Sequence, residues 1–195
     1  MQLSVWHEVN SSQEYAEGKG RVLRVSGQHA LARVGEQDTR CELRGKLKAG
    51  RRAATSPVVA GDWVQVSDAG DGKMVVEAVL PRTSRIARAA SGRRPIEQIL
   101  AANIDRFIVV VAIREPALST GFIDRALAMA ISGGIAPLVC INKVDLDPDE
   151  SASKVCQLYR DLGYEVIPAS VKTGEGMDEL DRVLHSGVCA LVGPS

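Results

Sequence analysis

Four residues after an apolar run, Asn142-Lys143-Val144-Asp145, have the types needed to read a guanine base. An ionised Asp presents two acceptor oxygens side by side. Guanine offers two adjacent donors, its ring N1–H and its exocyclic amine. Adenine carries an acceptor at the first of these positions, so a site built on that carboxylate rejects it. The Lys143 stem can lie across the base while its ammonium stays solvated, and the Asn142 amide can tie neighbouring loops together. The bland alternative is a polar loop in which Asp145 or Asp147 caps the next helix.

A second loop, Ser170-Val171-Lys172-Thr173-Gly174, has complementary chemistry. The Val171 N–H could donate to the guanine carbonyl, and Lys172 could cover the second face of the base. A flexible Gly-rich turn is the alternative. Near the last residue an apolar strand runs into Gly193-Pro194-Ser195, the way a phosphate-binding loop begins. The full signature, G-x-x-x-x-G-K-[ST], adds a Lys and a helix N-terminus. A frayed end is the competing reading of these three residues.

These loops need strands to hold them at one rim. Phe107-Ile108-Val109-Val110-Val111 is a continuous β-branched and aromatic run, as expected of a strand buried on both faces. Thr120–Ser132 spaces its apolar residues for a helix that stops at Gly133-Gly134. Strands over Pro137–Ile141, Glu165–Ala169 and Val188–Val192 alternate with helices over Asp149–Leu162 and Gly176–His185. This β-α-β-α-β-α-β order predicts a doubly wound α/β sheet, whose ligands lie at the carboxyl ends of its strands. Asn142 and Ser170 are then separated by one helix and one strand.

The first half has a different period. Candidate strands at Arg21–Val25, His29–Val34, Arg40–Arg44, Asp62–Val66 and Lys73–Leu80, divided by glycine turns, predict a small closed barrel. An OB-type barrel fits in size; an SH3-like one fits the pattern too. Trp63 is expected to fill its core. Residues 82–103, with Arg82, Arg85, Arg88, Arg93 and Arg94, read as an exposed basic transition.

The chain has 195 residues, 24 basic and 24 acidic groups, 45% apolar residues and 25% charged ones. Those values exclude a disordered tail, a collagen-like chain and a disulfide scaffold. No apolar run nears the roughly 20 residues of a membrane span, and no secretory signal is visible at the N-terminus. Residues 82–106 carry six basic and two acidic groups, whereas 107–195 carry seven and twelve. A basic middle beside an acidic end suggests a polyanion contact. The scattered Cys41, Cys140, Cys156 and Cys189 read as reduced thiols of a cytoplasmic protein. Asp145, Asp147 and Asp149 mimic a calcium loop, but Glu150 and Cys156 stand where it needs Gly and Glu. Gly174-Glu175-Gly176 lacks the third glycine of a dinucleotide fingerprint, and His7, His29 and His185 have no nucleophile pattern near them.

Taken in series, Gly20-Arg21-Val22, the C-E-L-R-G-K stretch at 41–46, Val59-Ala60-Gly61-Asp62-Trp63-Val64, Ala101-Ala102-Asn103-Ile104-Asp105, Ile123-Asp124-Arg125, Ile141–Leu146 and the terminal strand resemble one family. It is the ribosome small-subunit-dependent GTPase A family, the circularly permuted GTPases of bacterial 30S maturation. The resemblance runs from about Gly20 to Ser195. It implies α/β architecture with an N-terminal all-β domain: an extension at 1–19, an OB-fold barrel at 20–81, a basic linker at 82–100 and a partial permuted P-loop GTPase domain at 101–195. The guanine site would be Asn142, Lys143, Asp145, Ser170, Val171 and Lys172, and the phosphate-loop start Gly193, Pro194 and Ser195.

The resemblance also implies GTP hydrolysis to GDP and phosphate with Mg²⁺, docking on 16S rRNA of the 30S subunit, and zinc in a further C-terminal domain. The expectation for this sequence is a monomer, cytoplasmic and off the membrane, that ends inside the phosphate loop. It would hold no metal and no catalytic residue of its own. An RNA-binding stripe is expected from Arg44, Lys46, Lys48, Arg51, Arg52, Arg93 and Arg94, with phosphate contacts outweighing stacking. The alternatives are a non-catalytic RNA-binding barrel with an inert, incomplete G domain, and a small α/β enzyme for another nucleotide.

Overall fold

The computed structural model describes residues 2–7, 18–45, 47, 57–70, 72–89, 97–147, 149 and 151–194. The chain divides into two compact units, one of residues 10–103 and one of residues 1–9 with 104–195. Among the described residues no helix is long and apolar enough to cross a membrane.

Strand β1 is Gln2–His7 and belongs to the second unit. The first unit holds a closed barrel of β2 (Lys19–Ser26), β3 (His29–Val34), β4 (Gln37–Leu43), β5 (Trp63–Asp68) and β6 (Met74–Val79). Their order round the barrel is β2-β3-β4-β6-β5, closed by a parallel β4–β6 pair and antiparallel elsewhere. All five strands fall where the alternating pattern placed them. The core is built from small side chains: Val22, Ala30, Ala32, Cys41, Leu43, Val58, Val64, Val66 and Val76. Small residues suit a narrow barrel, whose interior the side chains alone must fill.

Trp63 does not fill that core. It alternates with the buried Val64 and Val66, lies opposite Arg21 in the β2–β5 register, and is half-buried. The Arg21 guanidinium stands 5.2 Å from its ring centroid, a cation–π contact.

The expected basic linker is also structured. β7 (Arg85–Ala89) and β8 (Glu97–Ala102) form an antiparallel pair with Ile86 and Ala101 fully buried. Arg85 reaches Glu97 across the pair, and Arg88 reaches Gln98. Arg82 is no exposed cation: its guanidinium meets both oxygens of the fully buried Asp62 at 2.7 and 2.8 Å. Such a bidentate pair offsets the cost of burying the carboxylate, which also accepts from the Val59 N–H at 2.8 Å. Gly61 approaches the Ala102 carbonyl so closely at φ +86° that a Cβ there would clash.

The second unit is a five-stranded sheet of order β1-β12-β9-β10-β11. Here β9 is Arg106–Ala112, β10 Ala136–Asn142, β11 Glu165–Pro168 and β12 Val188–Gly193. These four are mutually parallel, as the sequence predicts. The helices are α1 (Thr120–Ser132), α2 (Ser151–Asp161) and α3 (Met177–Leu184). Ile123, Ala126, Leu127 and Ala130 of α1 are buried, and Val183 of α3 packs against Ile108, Leu138, Cys140, Ile167 and Cys189. Within this sheet, β1 is the strand that periodicity did not announce. It lies inside the expected extension at 1–19 and pairs antiparallel with β12, Gln2 opposite Gly193 and His7 opposite Val188. The four cysteines are free and buried, and burial pushes the Cys140 thiol up to about 11.

Candidate guanine-nucleotide site

Three strand ends define one rim of the sheet. β10 delivers Asn142 and Lys143, β11 delivers Ser170, and β12 ends at Gly193. Backbone bonds join the two base loops: Val144 N–H donates to the Ala169 carbonyl at 3.2 Å, and Ala169 N–H donates to the Ile141 carbonyl at 2.8 Å.

The capping role that the sequence left open between Asp145 and Asp147 falls to Asp147. Asp147 is the helix cap. Its Oδ1 accepts from the Ser151 N–H and hydroxyl, and its Oδ2 accepts from the Ala152 N–H at 2.7 Å. The Ser151 hydroxyl first, and then the Ala152 N–H, hold its carboxyl below the usual carboxylate range. Asp145 makes no such cap. It receives the Ser170 hydroxyl on Oδ1 at 2.6 Å. Its side chain is 13% exposed, on a turn whose backbone is open to solvent.

Ser170 is fully buried and doubly anchored. Its N–H donates to the Glu175 carbonyl at 2.9 Å, and its hydroxyl oxygen accepts from the Thr173 N–H at 3.2 Å. A carboxylate oxygen has room for more than one donor, so Asp145 can hold Ser170 and still present both oxygens to a base. Gly176 tightens the same loop: at φ +69° it comes so near the Pro168 carbonyl that any Cβ would collide. Val171 is 72% exposed, so its side chain lies in solvent. Lys172, 80% exposed, has its ammonium 3.9 Å from Asp145 Oδ2. That leaves it loose enough to lie over a base.

Lys143 has a left-handed backbone, φ +62°, and its N–H donates to the Asn142 side-chain oxygen at 2.7 Å. Its ammonium is not simply solvated. It donates to the Glu115 carbonyl at 2.5 Å, in the loop between β9 and α1. Glu115 itself has φ +55°. Sequence reasoning passed over this loop because a backbone carbonyl leaves no side-chain signature. A non-glycine residue held at positive φ beside a ligand site is a frequent mark of a constrained contact, but it is visible only in the fold.

Gly193 closes β12, where a Cβ would stand 3.0 Å from the Val110 carbonyl, and Pro194 follows it, exposed. Ser195 lies outside the described residues. β9 separates β12 from β10. At about 4.8 Å per strand spacing, the phosphate-loop start is roughly 10 Å from the base loop, a nucleoside's reach. Of the candidate RNA contacts, Arg44 is exposed and paired with Glu77. Lys46, Lys48, Arg51, Arg52, Arg93 and Arg94 lie outside the described residues. Among the described residues no group of three or more His, Cys, Asp or Glu is placed to hold a metal ion.

With this geometry the chain resembles known proteins along most of its length. The small ribosomal subunit biogenesis GTPase RsgA of Haemophilus influenzae (strain PittEE) is 38% identical over 165 residues, which is 80% of this chain and 44% of that protein. The protein of that name from Caldanaerobacter subterraneus subsp. tengcongensis is 32% identical over 178 residues, 91% of this chain and 55% of that one. The chain thus spans about half the length of the curated relatives it matches. The crystal structure of YjeQ from Thermotoga maritima matches with a TM-score of 0.66 at 28% identity, covering 87% of this chain and 57% of that chain. YloQ, a circularly permuted GTPase, matches in fold with a TM-score of 0.61 at 24% identity, over 94% and 62% of the two chains. The family model for the RsgA GTPase covers residues 79–195, from the end of the barrel through the loops at 142 and 170 and beyond β12. A closed five-stranded barrel followed by a parallel sheet with helices is thus the shared architecture, and the chain belongs to the RsgA GTPase family.

Proposed function

We infer that the chain is the base-selecting and RNA-facing part of a GTPase that binds GTP and GDP and assists late maturation of the small ribosomal subunit. The relatives' names supply the assembly role. The observation that carries the nucleotide reading is the Ser170–Asp145 bond, which aims a carboxylate from one strand end with a hydroxyl from the next. In this reading Asp145 accepts from guanine N1–H and the exocyclic amine, and the Val171 N–H donates to the guanine carbonyl. Lys143 and Lys172 cover the two faces, and Gly193, Pro194 and Ser195 begin the phosphate contacts.

Hydrolysis of GTP to GDP and phosphate also needs a full phosphate-binding loop, at which Mg²⁺ would neutralise charge on the bound phosphates. This chain's residues bind and orient the base. The RNA partner is 16S rRNA of the 30S subunit, contacted through basic side chains of the barrel unit, and the protein acts as a cytoplasmic monomer.

The test is a titration with GDP, ADP and XDP, in a chain carrying the whole phosphate loop. Wild type should prefer GDP. Asp145→Asn should lose GDP and gain XDP, because xanthine puts a carbonyl where guanine has its amine and an amide can donate to it. Unchanged GDP affinity in the variant overturns the assignment.

A further inference from the structure

The loop between β9 and α1, residues 113–119, clasps residues 142–149 at three points. The Ile113 N–H donates to the Asn142 carbonyl at 2.9 Å, one bond beyond the last β9–β10 pair, Ala112 opposite Asn142. The Glu115 carbonyl accepts from the Lys143 ammonium at 2.5 Å. Arg114, between these two, donates to Asp149 Oδ2 at 3.0 Å. Asp147, held low chiefly by the Ser151 hydroxyl, also feels the Arg114 charge.

Glu115 stands at φ +55°, where glutamate is rarely found, so its surroundings must keep it there. Arg114 provides a side-chain tie that does so. Lys143 is fixed at both ends as a result. Its own backbone, at φ +62°, is held by the Asn142 side-chain oxygen at 2.7 Å, and its ammonium is held by the Glu115 carbonyl. A lysine stem stretched between two fixed ends has little rotamer freedom left to lose when a base packs on it. Lys172, 80% exposed and 3.9 Å from Asp145, has no comparable restraint on its stem. One wall of the slot is therefore preset, and the other closes on the ligand.

We propose that Arg114 is a positioning residue of the guanine site: by holding the 113–119 loop to Asp149, it keeps the Glu115 carbonyl on the Lys143 ammonium, and so forms one face of the base slot before nucleotide arrives. The proposal rests on the guanine reading of Asn142, Lys143 and Asp145. Arg114 itself touches no nucleotide. An ammonium has three donors, so the bond to Glu115 leaves two for the ligand. The side chains of the Arg114–Asp149 pair are 49% and 74% exposed, so the pair contributes little to folding, and the melting temperature should hold without it.

The experiment is calorimetry of GDP binding, in a chain carrying the whole phosphate loop, from low salt to about 1 M, where the screening length is roughly 3 Å. Arg114→Glu puts a carboxylate beside Asp147 and Asp149. It should weaken GDP by about fivefold to tenfold at low salt, and the deficit should shrink at high salt. The charge swap Arg114→Glu/Asp149→Arg should return affinity to within about twofold of wild type. Lys143→Met keeps the length of the stem and removes the ammonium. In that background Arg114→Glu should cost no more than about twofold, because its effect runs through the lysine.

Wild-type affinity in Arg114→Glu at low salt overturns the proposal. An equal loss with and without the Lys143 ammonium overturns it too, since Arg114 then acts by another route. A loss that is indifferent to salt and unrelieved by the swap means a disturbed fold rather than a positioned lysine, and is equally fatal. The guanine reading is judged apart, by whether wild type prefers GDP to ADP and XDP. Without that preference both readings fall; with it, and with Arg114→Glu unchanged, only the positioning role falls.

Discussion

Removing one hydroxyl should disable base selection while leaving the fold in place. Ser170→Ala deletes the donor that meets Asp145 Oδ1 at 2.6 Å, and also the acceptor for the Thr173 N–H at 3.2 Å. The second loss is minor, because the Thr173 turn is exposed and water can replace the oxygen. The first is not, because a hydrogen bond to a charged group contributes about 1.5–3 kcal/mol. In the ligand-bound state that energy holds the carboxylate against rotation. At roughly 1.4 kcal/mol per tenfold, GDP affinity should fall by about 10- to 150-fold. Isothermal calorimetry in a chain with a complete phosphate loop measures this directly, with ADP as the control whose weak binding should not change. A GDP affinity within twofold of wild type would mean that Asp145 is oriented by something other than Ser170, and the reasoning fails.

Two further outcomes follow from the same region. Asp147→Ala should destabilise α2 and change the acid limb of stability. Its carboxyl is depressed in the fold from an ordinary 3.8, so its contribution is complete above that pH and disappears as pH falls through the folded value. Acid melts of the variant should therefore differ from wild type above about pH 4 and converge with it as pH falls further; parallel curves would contradict the cap. The 195-residue polypeptide contains no G-x-x-x-x-G-K-[ST], so it should release no phosphate from GTP, with or without small subunits. Subunit-stimulated release in a malachite-green assay would show that catalysis uses groups elsewhere in these residues.

The parts legible in the sequence were those whose signal is local. The Phe107–Val111 run, the spacing of Ile123, Ala126 and Leu127, and the polar loops at 142 and 170 each announce themselves within a dozen residues. The loops at 142 and 170 were readable as candidates because base recognition would need particular side chains there. The hairpin of β7 and β8 was hidden by its arginines: Arg85 and Arg88 dominate a stretch in which the buried Ile86 is the residue that matters. Trp63 was misplaced because size suggested the core, while its register opposite Arg21 put it on the other face. Glu115 acts through its carbonyl, and β1 acts through a partner about 190 positions away, so neither leaves a local trace.

That last pairing bears on how the polypeptide is made. Strand β1, at residues 2–7, is hydrogen-bonded to β12, at residues 188–193, and the whole barrel lies between them in the chain. A ribosome adding about 5–20 residues per second needs roughly 5–22 s to travel from Val79, where the barrel ends, to β12 at Val188. During that interval the barrel has all its strands, while β1 has no partner and β9 has one open edge. Emergence from the exit tunnel therefore orders these pairings in time: the barrel can close early, whereas β1 and β9 gain β12 between them only when residues 188–193 arrive.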